Sequence, residues 1–244
     1  MAWPDPRATG ARTYPGQAGT GEAFDEGLRA YMLKIYNYMA SGVLLTGVVA
    51  MLFARSGMAE QVLLGGGALA WIIMLSPLAI VFAMSFGQGK FSAGTLQAMY
   101  WGFAVLMGLS LSSIFLMYTG ASIATTFFAT AGAFAGLSLY GYTTKKDLSG
   151  WGTFLIMGVV GLIVASIVNI FLGSTVLDLA ISAIGVLIFA GLTAYDTQKL
   201  KSLYQAVRGT EFMQKVVIMG ALNLYLDFIN MFLFLLRFMG AARD

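Results

Sequence analysis

The sequence predicts an all-α integral membrane protein with seven transmembrane helices, and three observations carry that expectation. Of 244 residues, 59% are hydrophobic and only 10% charged, whereas a soluble domain carries about a quarter charged residues. The apolar residues form seven continuous runs, each long enough to cross a hydrocarbon core about 30 Å thick. The Lys and Arg residues fall mostly on one side of those runs.

Taken in order, residues 1–27 hold three of the four prolines and show no apolar periodicity. They read as a disordered cytoplasmic tail. No apolar run with a small-residue cleavage site follows Met1, so a signal peptide is not expected. The remainder, 28–244, reads as one seven-helix domain. Its apolar runs are about 31–54, 62–86, 95–118, 121–142, 151–172, 176–195 and 213–239. Each must satisfy its own backbone hydrogen bonds in lipid, so helices are expected. The runs lack the alternation of a β-barrel. The longest linker, 196–212, reads as an extension of the sixth helix beyond the bilayer. Pro77 removes one backbone donor and is expected to kink the second helix. The many glycines within the runs suit close helix packing.

Orientation follows from the basic residues. With seven spans, one side holds the tail and the second, fourth and sixth loops. That side carries Arg7, Arg12, Arg29, Lys34, Lys90, Lys145, Lys146, Lys199, Lys201, Arg208 and Lys215. The other carries Arg55, Arg237 and Arg243. The N-terminus is therefore expected in the cytoplasm and the C-terminus outside.

Composition also excludes chemistry. There is no Cys and no His. Thiol chemistry, His-based catalysis and soft-metal sites are not expected, nor is a cofactor or an enzyme activity. A bound ion would be a hard cation held by oxygen. Any pH response must come from carboxylates.

One carboxylate stands out. Asp227 lies in the middle of the last run, where an ionised Asp costs about 2.5–3.5 kcal/mol on insertion scales. Gly220, Asn223, Asp227 and Asn230 recur at spacings of three, four and three, so they share one helical stripe. This polar stripe is expected to face protein or water, which makes the seventh helix central. Structural glue between helices would explain the two Asn residues. A neutral side chain would serve as glue at lower cost, which favours a functional role for Asp227. A second acid, Asp196, closes the sixth run in GLTAYDTQKLK. No basic residue lies within the second to sixth runs, so the carboxylates lack an evident buried counter-ion. If they meet, they would share one proton. Asp178 reads as a solvated helix-end residue.

The motifs LRAYMLKIYNYMASGVLLTG (28–47), SPLAIVFAMSF (76–86), GLTAYDTQKLK (191–201) and ALNLYLDFINMFLFLLRF (221–238) resemble the Bax inhibitor-1 family, in a bacterial form. The resemblance covers nearly everything after the tail. It implies six helices around a central seventh, in a multi-pass protein of the inner (cell) membrane. It implies a pH-sensitive calcium leak associated with paired aspartates on the last two helices. Those aspartates match Asp196 and Asp227, which would bind calcium weakly and transiently. Gly220, Asn223 and Asn230 would then line the polar path. An arginine inside the second helix, which latches the acid pair in some members, is absent here. The resemblance also raises an alternative, a non-conducting regulator that binds a membrane protease or chaperone. An intramembrane aspartyl protease is not expected, because no Gly-x-Gly turn precedes Asp227 and no Pro-Ala-Leu element follows Pro77. A retinal protein is not expected either, since the seventh run has no internal lysine.

Overall fold

A computed structural model describes residues 15–243, with side chains described from residue 25. Eight α-helices follow one another: α1 (Pro15–Arg55), α2 (Ala68–Gly87), α3 (Ala93–Leu111), α4 (Ser113–Met117), α5 (Gly120–Thr143), α6 (Ser149–Leu172), α7 (Thr175–Val207) and α8 (Phe212–Met239). With α3 and α4 counted as one span, seven helical segments are long and apolar enough to cross a membrane. The chain is an all-α membrane protein, as its apolar runs predict. Helix α1 begins inside the stretch read as a tail; the rest of that tail, 1–14, lies outside the described residues.

Local chemistry sets the boundaries. Ser92, Thr119 and Ser174 cap α3, α5 and α7 by accepting from the backbone N–H groups of Thr95, Ser122 and Leu177. Gly173 ends α6 in a left-handed conformation, with its N–H donating to Asn169 O at 2.8 Å. The second run, expected from 62, is interrupted. A π-turn at Glu60–Leu64 gives way to Gly66 and Gly67, both with positive φ, and α2 starts only at Ala68. Pro77 sits within α2. The third run breaks at Ser112, whose Oγ donates to Leu109 O. The sixth helix continues to Val207, well past the apolar run.

Helix α8 is the core element. In its most apolar window 67% of residues are buried within the protein, against 11% for α6. It packs on α7, α1, α5 and α3, while α2 and α6 lie chiefly on α3 and α7. The outer helices present large apolar side chains outward, including Trp71, Trp151 and Phe171, where lipid replaces water as the solvent.

A buried polar chain ties α8 to two neighbours. Tyr225 Oη lies 2.7 Å from Thr46 Oγ1, and Thr46 donates to Ala104 O at 2.8 Å. The Tyr225 ring meets Phe103 edge-on at 5.0 Å. Neither residue belongs to the polar stripe read from the sequence. Tyr100 adds a similar link, donating to Tyr38 O at 2.8 Å.

Glycine sets the α5–α7 approach. A Cβ on Gly141 would sit against the Ala194 backbone, 3.0 Å from its Cα, whereas one on lipid-facing Gly136 would meet nothing. Backbone cannot yield as a flexible side chain does. Gly141→Ala is therefore expected to destabilise by about 1–3 kcal/mol through overpacking, and Gly136→Ala to be neutral or slightly stabilising. Thermal unfolding of both variants in detergent micelles checks this; equal melting temperatures would mean that the α5–α7 contact is loose.

Candidate functional site at the α7–α8 contact

Two close contacts fix the register of α7 against α8. A Cβ on Gly220 would lie 2.6 Å from Leu200 Cδ2, and a Cβ on Gly185 would lie 2.6 Å from Phe234 Cγ. The helices run antiparallel, so the position midway between these contacts pairs Asp227 with Leu192 and Thr193. Asp196 then stands opposite Asn223 and Leu224. The two acids face the same seam, offset by one helical turn, roughly 5 Å along the axis. Asp227 feels the Asp196 charge through space.

Their surroundings differ. Asp227 is 4% exposed, and its Oδ2 has no hydrogen-bond partner. Nearby polar groups direct hydrogen bonds elsewhere. Asn230 Nδ2 donates to Leu226 O at 2.8 Å on its own helix. Thr193 Oγ1 donates to Phe189 O at 2.8 Å. Thr197 Oγ1 turns toward α5, 3.5 Å from Ser138 Oγ. An acceptor buried without a donor carries its full desolvation cost, a cost that a proton or a cation at Asp227 would offset.

Asp196 instead lines a cavity of about 440 Å³ between the end of α2, α7 and α8. Asn223 and Gly220 line it from α8, Ser85 from α2 and Gln88 from just past its end. Lys199 and Lys215 also border it. This vestibule opens toward the lysine-rich end of the bundle. It brings together Asp196, Gly220 and Asn223. Asn230 lies beyond Asp227 and outside it. Gly220 serves first as the close-packing point against Leu200.

The structure adds one cation near the acids, the exposed Lys199. Helix α7 extends to Val207, which carries Lys199 one turn beyond Asp196 on the same helix. The Lys199 ammonium acts on Asp196 electrostatically, without a close ion pair. It also lies 5.9 Å from the Tyr195 ring centroid. The i, i+3 spacing in DTQK was the sequence signal for this pairing. At the opposite end, Asp178 meets Arg237 at 3.5 Å. Both are substantially exposed, so the pair contributes little.

Comparison with known proteins supports the motif resemblance. The family described as "Inhibitor of apoptosis-promoting Bax1" matches residues 28–244. An uncharacterized protein of Rickettsia prowazekii is 49% identical over 223 residues, covering 91% of this chain and 94% of that relative. Inner membrane protein YbhL of Escherichia coli is 47% identical over 219 residues, covering 89% and 94%. An uncharacterized protein of Caulobacter vibrioides is 47% identical over 229 residues, covering 90% and 92%. With the match spanning every membrane helix and both acidic motifs, the chain belongs to the Bax inhibitor-1 family.

Proposed function

We propose that this protein is a pH-sensitive cation leak of the bacterial inner membrane, with calcium as the permeant ion and the Asp196–Asp227 pair as its gate. The observation that carries this reading is the unpartnered Oδ2 of buried Asp227, one turn beyond an acid that lines an open vestibule. A shared proton and a bound cation compete for the same carboxylate oxygens, so occupancy by one excludes the other. Oxygen ligands suit calcium. Two carboxylates with Asn223 make a weak site, and conduction requires weak binding. The N-terminus lies in the cytoplasm and the C-terminus outside, so the vestibule opens inward.

Calcium entry into liposomes over roughly pH 6 to 8 tests the gate. The wild type is expected to carry a flux that varies with pH. Asp196→Asn with Asp227→Asn is expected to cut it by about ten-fold, equivalent to ~1.4 kcal/mol, and to remove its pH variation. Equal flux from both proteins would sink the proposal.

Stability separates gate from glue. Asp227→Asn keeps the shape and removes the ionisable group, so its melting temperature is expected to match or exceed the wild type. A gain of 1 kcal/mol corresponds to about 2–4 °C at this size. A fall of more than about 4 °C would make Asp227 a structural anchor instead.

A further inference from the structure

Helices α5 and α6 both pack on α7 rather than chiefly on each other. This leaves a crevice that opens sideways into the bilayer. Its walls are Leu137, Leu155 and Trp151, and its floor is Ala190, Gly191 and Ala194 of α7, enclosing about 370 Å³. Leu155 covers Gly191 and α5 covers the Ala194 backbone at Gly141, so a slender apolar chain has room along Ala190 and the Leu155 and Trp151 side chains. At the lysine-rich end the crevice runs into a second cavity of about 570 Å³, and the two share Lys146, Asp147 and Tyr195 as lining residues. Lys145, Lys146, Lys199 and Lys201 line this second cavity. Lys201 donates one hydrogen bond to Tyr142 O at 2.7 Å, which fixes its ammonium in place and leaves two donors. The acid among the lining residues, Asp147, already accepts from Ser149 N–H at 2.8 Å.

An apolar slot at acyl-chain depth, continuous with a cluster of lysines at headgroup depth, has the charge and shape of one ligand class. We propose that this crevice binds an anionic phospholipid from the leaflet on the lysine-rich side, with an acyl chain along Ala190, Leu155 and Trp151 and the headgroup phosphate among the lysines. Basic pockets between helices at the membrane surface attract acidic headgroups, while a zwitterionic lipid gains little there. A soluble phosphate would use the lysines and leave the apolar half unfilled. The apolar crevice lies on the far side of α7 from the acid vestibule, and the lysine cavity abuts that vestibule. Lys199 and Leu203 border both cavities.

Trp151 supplies the readout, since its half-exposed ring stands in the crevice wall. The full chain with Trp3, Trp71 and Trp101 changed to Phe is placed in phosphatidylcholine nanodiscs. Acyl-brominated phosphatidylglycerol or acyl-brominated phosphatidylcholine is then added to quench Trp151. The phosphatidylglycerol is expected to quench at about ten-fold lower mole fraction. Lys145→Gln with Lys146→Gln should abolish most of that difference, with Lys199 left intact because it also borders the vestibule. Lys145→Arg with Lys146→Arg should keep it. Unchanged Trp151 emission in pure phosphatidylcholine verifies the fold of each variant. Equal quenching by the two lipids in the otherwise wild-type chain would overturn the proposal, as would a Gln variant that keeps the preference. Displacement of the brominated lipid by millimolar inorganic phosphate would overturn it too, because it would make the cavity a site for the free anion.

Discussion

The close antiparallel contact between α7 and α8 is the constraint on which the arrangement depends. In lipid, helices gain no hydrophobic free energy by associating, because the tails are as apolar as the side chains. Shape fit must hold them. Gly220 makes room for Leu200, and Gly185 makes room for Phe234, whose ring also stacks on Phe189 at 5.8 Å. These two contacts, about two turns either side of Asp227, leave little freedom for register. They bring Asp196 and Asp227 onto one seam and offset them by one turn. A slip of a single residue would rotate one acid off that seam.

Helix α8 contains two kinds of buried polar group, and the contrast between them is informative. The Tyr225 hydroxyl is fully used: it reaches Thr46, which in turn donates to the Ala104 carbonyl. That chain joins α8 to α1 and α3 and leaves none of its hydroxyls orphaned. Asp227 sits two residues further on, is as deeply buried, and has an oxygen with no donor. A complete network accounts for itself as structure. An incomplete one, placed where an ionised carboxylate is expensive, has no comparable structural explanation. The same helix therefore holds its position through Tyr225 and keeps Asp227 available.

Much of this was legible in the sequence, for identifiable reasons. Seven apolar runs translate into seven spans because lipid leaves the backbone no alternative. The spacing of Gly220, Asn223, Asp227 and Asn230 shows a stripe because helical periodicity is rigid. What the stripe does was less legible. Asn230 bonds its own helix and Gly220 is a packing point, and neither fact follows from spacing. Lys199 falls on the helical extension that the sequence suggests for 196–212, and its place one turn from Asp196 follows once α7 stays helical to Val207. Thr46 and Tyr225 were hidden because a lone hydroxyl in an apolar run gives no signal until its partner, 179 residues away, is known. The break before α2 could have been read from three consecutive glycines, Gly65 to Gly67, since positive φ at two of them ends any helix.

The offset of the two acids gives the proposed leak an order of events. From the lysine-rich side, an ion entering the vestibule meets Asp196 and Asn223 before it reaches Asp227. Lys199 and Lys215 border the same cavity and repel an arriving cation. Lys199 also competes with it for Asp196. The vestibule is therefore not a cation trap, and its attraction is local to the carboxylate. Beyond Asn223 the seam is closed by apolar side chains, with Phe234 and Phe189 stacked across it. A cation at Asp227 thus has a hydrated neighbour on one side and a packed aromatic barrier on the other. In the proposed leak the acid pair would control occupancy of the seam, and passage beyond it would require the α7–α8 packing at Gly185 to loosen. Such a gate would have two coupled parts, a charge that selects and a steric contact that yields, both set by the same pair of helices.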